Sequence, residues 1–168
     1  MKLPALRDAD LHTRLSIYLN DHLGGSAGGL ELARRLSRHN KGTDYGPPLE
    51  DIAQQIEEDV ASLREVMARL VVEEDRVKQA GAWAAEKVGR LKLNGQLLGY
   101  SPLSRLVELE GLTLGVAGKQ AMWAVMNEAY GRHPRLSGVD LLQLYVRARD
   151  QRRVLDDLRQ RAAIEALT

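Results

Sequence analysis

The chain has 168 residues, 44% hydrophobic and 28% charged, with a formal net charge of +1. That length supports one buried core, so a single domain over residues 1–168 is expected. No cysteine occurs, which excludes disulfides, thiolate catalysis and Cys-ligated zinc.

Phe is missing and aromatics make up only 4%, so the core must be built from Leu, Val, Ile, Ala and Met. The near-neutral total hides a segregation. Residues 50–75 hold nine acids against Arg64 and Arg69, while residues 76–105 hold six bases against Glu86. Neighbouring blocks of opposite sign can satisfy one another within one fold, and this reading outweighs a nucleic-acid stripe. The opening "MKLPALRDADLHTRL" lacks the apolar run of a secretory signal, and no stretch of about 18 apolar residues follows. The expected location is cytoplasmic, with no membrane partner.

The pattern is helical almost throughout, without a useful period of two. The first element spans about residues 8–39. It contains "DHLGGSAGGLELARRL", with glycine pairs Gly24-Gly25 and Gly28-Gly29. Each interior glycine costs about 1 kcal/mol relative to Ala, so a break near Gly24 has to be considered. Against it, Leu11, Leu15, Tyr18, His22, Gly25, Gly29, Ala33 and Leu36 keep a single stripe at 100° per residue. An intact helix is therefore expected. It stops at "NKGTDYGPP", where glycines and prolines break it.

The second element, about 49–72, shows Leu49, Ile52, Ile56, Val60, Leu63, Met67 and Leu70 on one face. A shorter third element, about 76–92, carries Val77, Ala80, Ala84, Val88 and Leu91. The fourth, about 102–130, opens with Ser101 as cap and Pro102 at the first helical position. It has its own spaced glycines, Gly111, Gly115 and Gly118. The fifth, about 138–166, opens with Ser137 and Asp140 in an approximate capping box.

Two pairs of long helices joined by a connection of about 30 residues form an all-α four-helix bundle with one crossover, holding a shorter extra helix. Small residues at every fourth position let helices approach closely, and Lys119 and Gln120 exclude a membrane span. Gly25 and Gly29 are thus expected to pack against Gly111, Gly115 and Gly118. The alternative is a groove left open for a ligand or a second subunit.

Periodicity also turns some polar residues inward: His22, Asp59, Glu110, Gln151 and Arg152. With "YLNDHLGGSAGGLELA" and "SPLSRLVELEGLTLG", this layout resembles the ferritin-like superfamily, and within it uncharacterised bacterial members. The resemblance would imply a di-iron centre built from two Glu and two Glu-x-x-His motifs. That signature is missing. Ala9, Leu19, Leu36 and Tyr130 stand three residues before His12, His22, His39 and His133, so no ferroxidase activity carries over. The nearest positions are Asp21 or His22, Asp59, Glu110 and Asp150.

Two readings of the inward set stay open. His22, Asp59 and Glu110 could form a facial site for a single divalent metal, Fe or Mn. Alternatively the set is a buried hydrogen-bonded cluster, with Arg152 neutralising Glu110 and His22 answering Asp59. The second is favoured because an inward Arg repels a cation, so no cofactor is expected. No catalytic triad, P-loop or dinucleotide fingerprint occurs. Trp83 and Trp123 read as core or interface anchors. The sign-alternating run 147–161 reads as a solvated face and argues against nucleic acid. The favoured function is a non-catalytic bundle, a homodimer or one acting on a protein partner, or a stress-associated scaffold. A divergent metal or redox bundle is the alternative.

Overall fold

The computed structural model describes residues 4–75 and 100–168. The expected third element, with Trp83 and most of the basic block, lies outside the described residues. Within them the chain is all-helical, with four long helices: α1 (Pro4–His39), α2 (Gly46–Arg69), α3 (Pro102–Tyr130) and α4 (Leu141–Leu167). None is long and apolar enough to cross a membrane.

Helix α1 runs unbroken through both glycine pairs. Helix α2 begins earlier than its apolar pattern, because Pro47 and Pro48 sit in the first turn, where no amide donor is needed. Gly46 is obligatory there: a Cβ would lie 2.9 Å from the Asn40 carbonyl oxygen. For α3, the Ser101 hydroxyl accepts from the Ser104 amide at 3.1 Å, as a cap should. The expected Ser137 cap of the last helix is corrected. A 3-10 turn at Pro134–Leu136 intervenes, and Asp140 caps α4 by accepting from the Gln143 amide at 2.8 Å.

Contacts give the topology. His12 Nε2 lies 3.1 Å from the Val71 carbonyl oxygen and Arg34 pairs with Glu57 at 2.8 Å, so α1 and α2 are antiparallel. Arg105 pairs with Glu165 at 2.6 Å and Arg152 donates to Gln120 at 3.3 Å, so α3 and α4 are antiparallel too. Arg35 and Glu108 are 2.8 Å apart and largely buried, and Leu19 and Leu23 share a cluster with Met122 and Trp123, so α1 and α3 are antiparallel as well. Helices α2 and α3 consequently run the same way. Asp75 is held at the middle of α1 and Tyr100 at its C-terminal end. Asn20 accepts from the Asp75 amide at 2.7 Å, and Asn40 donates to the Tyr100 hydroxyl at 2.9 Å.

The apolar core falls into two parts. One gathers Leu19, Leu23, Leu63, Met67, Met122 and Trp123. The other gathers Leu36, Leu49, Ile52, Leu109, Leu112 and Leu155. What divides them is the candidate site.

Helix α2 ends with Val72 donating to Met67 O at 2.9 Å and Val71 to Ala68 O at 3.1 Å. This motif favours a left-handed glycine, yet its left-handed residue is Val71, at φ 58°. A β-branched residue there costs about 1–2 kcal/mol. Val71→Gly is expected to stabilise the fold by about 1 kcal/mol, read as a higher midpoint in urea. An unchanged or lower midpoint would refute the strain.

Candidate functional site

Between the two apolar clusters lies a polar layer. Asp59 of α2 is 2% exposed, as is Gln151 of α4. The Asp59 carboxylate pairs with the Lys119 ammonium from α3 and with the Arg147 guanidinium from α4. Gln151 donates to Asp59 Oδ2 at 3.1 Å and to Gln55 Oε1 at 3.1 Å, and its own oxygen accepts from Lys119. Glu58, exposed on α2, reaches Arg147 at 3.3 Å. Burial holds the Lys119 pKa below its ordinary value, opposed by the nearby Asp59 charge. A buried carboxylate held this way survives because each oxygen meets a cation.

Three helices supply side chains to this layer. At the same level α1 supplies glycine. Close packing of the glycine faces was expected, and the structure corrects it: Cβ atoms built on Gly25, Gly29, Gly115 and Gly118 would meet nothing within 4 Å, and one on Gly111 meets only a Leu32 methyl at 3.5 Å. Arg35–Glu108 holds α1 and α3 together on one side, and the cluster around Leu19, Leu23 and Trp123 holds them on the other. Bulky side chains at those two contacts set the helix separation. The glycines between cannot close it, and a cleft of about 200 Å³ remains.

His22, Asp59, Lys119 and Trp123 all line the cleft. His22 is half-buried, its ring edge-on to Tyr18 at a centroid distance of 4.8 Å. Burial lowers its pKa, with the Asp21 charge opposing. Trp123 is fully buried, and its indole Nε1 has no hydrogen-bond partner among the described residues.

The structure brings Asp59 and Gln151 together and sets His22 on the same cleft. Glu110 and Arg152 are corrected: both are exposed. Arg152 donates to Gln120 rather than neutralising Glu110. Glu110 shares its face of α3 with Val107 and Leu114, an apolar spacing that looks like core. Both are solvent-exposed, and the buried face runs through Leu106, Leu109, Leu112, Val116 and Trp123. Asp150 is also exposed, paired with Arg149 at 2.9 Å.

The donors proposed for a metal do not fit one. Asp59 is already claimed by two cations, which would repel a third, and Glu110 points elsewhere. Among the described residues no group of three or more His, Cys, Asp or Glu could hold a metal ion. Sequence reasoning missed Lys119 and Arg147. Lys119 was legible, since Leu109, Leu112, Val116, Lys119 and Trp123 follow the 3-and-4 spacing of a buried stripe.

No protein-family model, curated protein or solved structure matches this chain. Its function must be argued from its own geometry.

Two outcomes follow. Asp59→Asn leaves Lys119 and Arg147 without their counter-charge and should cost about 3–5 kcal/mol, measured by urea unfolding; a loss below 1 kcal/mol would show the carboxylate to be dispensable. For His22, a folded pKa below 6.5 means that the unfolded chain takes up the proton first. Its contribution is complete above pH 6.5 and declines as pH falls from there towards the folded pKa. His22→Gln should flatten the fall in melting temperature between pH 7 and 5.5; identical profiles would contradict it.

Proposed function

We propose that the chain is a non-catalytic helical bundle of ferritin-like layout, without the di-iron ligands, that acts through protein contacts beginning with a second copy of itself. The observation carrying this reading is the outer face of α3. Leu103, Val107, Leu114 and Val125 are 51%, 37%, 74% and 52% exposed. At 100° per residue they share one stripe with Ala121. Scattered exposed apolar residues need no explanation, whereas an aligned face does.

The stripe is self-complementary. Centred on Leu114 and laid antiparallel on its copy, it sets Leu103 against Val125 and Val107 against Ala121. Glu110 then lies opposite Gly118, where a small residue leaves room for it. On either side of a central Leu114 pair, Leu meets Val and Val meets Ala, along about 33 Å of helix at 1.5 Å per residue. A two-fold axis through Leu114 is the simplest symmetry for such a contact.

Size exclusion with light scattering should give a dimer. Leu114→Lys should give a monomer of unchanged helicity, because the side chain is solvent-facing in one copy. A wild-type protein that stays monomeric at about 100 μM, an affinity weaker than roughly 5.5 kcal/mol, would remove the reading.

A further inference from the structure

We infer that Lys119 is the nucleophile of a covalent capture site in the α1–α3 cleft, which takes a small aldehyde with an apolar body as an imine. This goes beyond the reading of the outer face of α3 and does not depend on self-association.

Access comes first. Lys119 and Asp59 both line the cleft, and the Lys119 nitrogen meets the Asp59 carboxylate. The amine therefore stands at the cleft wall, on a side chain that is 16% exposed. The cleft measures about 200 Å³, and an apolar cavity of about 150 Å³ already accepts benzene. Its walls include Ile56, Val60, Leu63 and Met122. They suit a branched or aromatic hydrocarbon body and offer no partners to a sugar. From α1, Asp21 and His22 face the same space. An aldehyde carrying its own negative charge is disfavoured there by Asp21 and Asp59.

Nucleophilicity follows from the charge of the layer. Two cations, Lys119 and Arg147, share the one buried carboxylate of Asp59. Glu58 reaches Arg147 from the exposed side, at 3.3 Å. A guanidinium keeps its proton, so any proton that the layer gives up comes from Lys119. Burial lowers the Lys119 pKa, Asp59 opposes, and Arg147 lowers it further. Desolvation and a neighbouring cation are two means by which a lysine becomes a nucleophile. The contacts of the layer survive the loss of the proton. Two N–H groups of the neutral amine still serve Asp59 and Gln151. The lone pair takes the third position, which neither acceptor claims.

The step balances without a further reagent. The lone pair attacks the aldehyde carbon, a C–N bond forms, and the carbonyl oxygen takes up a proton. That oxygen leaves as water when the C=N bond forms. Counted from the charged amine, an ammonium and an aldehyde give an iminium and a water. The iminium keeps the positive charge and one N–H, which Asp59 receives, so the charge of the layer is unchanged.

The probe is 3-methylbutanal at one equivalent, with cyanoborohydride to reduce the imine to a stable amine. Leu114 and Gly118 border both the cleft and the outer face of α3, so the protein is diluted well below the concentration of the self-association test. Each unit of pKa lowering raises the neutral fraction about tenfold, so peptide mapping at about pH 8 should find about tenfold more label on Lys119 than on any other lysine or the N-terminal amine. Glycolaldehyde, which lacks the apolar body, should show no such preference. Labelling of Lys119 should reach its plateau at a lower pH than that of free butylamine. Gly115→Leu, whose side chain enters the cleft where a Cβ meets nothing within 4 Å, should keep helicity. It should suppress Lys119 labelling and leave the other lysines as before. The inference is overturned if the label spreads evenly over the amines, if Gly115→Leu labels Lys119 as wild type does, or if the Lys119 profile follows that of butylamine. None of these outcomes bears on the dimer, which light scattering decides.

Discussion

The pairing of Asp59 with Lys119 and Arg147 is the constraint around which the bundle is arranged. Each group comes from a different helix, so the contact fixes the relative height of α2, α3 and α4 together. Apolar packing tolerates small slips along a helix axis, since one leucine substitutes for another at little cost. A buried carboxylate does not. Sliding any of the three helices by one turn would strand a charge in the core, at a cost comparable with much of a domain's stability. Such a layer adds little net stability and confers register.

The same layer accounts for the division of the core. Below and above it the interior is Leu, Val, Ile, Met and Ala, with Trp123 on one side and Tyr45 on the other. At its own level the charged groups come from α2, α3 and α4, and α1 carries glycine. Water can reach the layer from that side, which lightens the burden on a lysine that burial pushes toward its neutral form. The helix-breaking tendency of Gly24, Gly25, Gly28 and Gly29 is overcome because α1 is anchored on both sides of them, by Leu19 and Leu23 and by Ala33, Leu36 and Arg35.

The helices and their number in the described residues were readable from apolar periodicity, and so was the continuity of α1. Periodicity reports phase, and phase survives glycine. It does not report helix separation, so a row of glycines is compatible both with touching backbones and with a gap. The separation was decided by bulky residues elsewhere on α1 and α3. The inward reading of Glu110 failed for a related reason. Helix α3 has two apolar faces, and a spacing of Leu103, Val107 and Leu114 looks as core-like as Leu109, Leu112 and Val116. Only burial tells them apart. Asp59 and Gln151 lacked such a competing face, which is why their neighbourhood was legible. The capping residue of α4 shifted from Ser137 to Asp140 because Pro134 supports a short turn of its own.

The parallel course of α2 and α3 has a kinetic consequence. Each antiparallel hairpin, α1 with α2 and α3 with α4, is made of contacts close in sequence and can form early. The ion layer joins residue 59 to residues 119 and 147, so it can close only when the finished hairpins dock. Until that moment Asp59 stays hydrated, and its dehydration belongs to the last step of assembly. Mistimed docking would trap a wet carboxylate between two apolar faces.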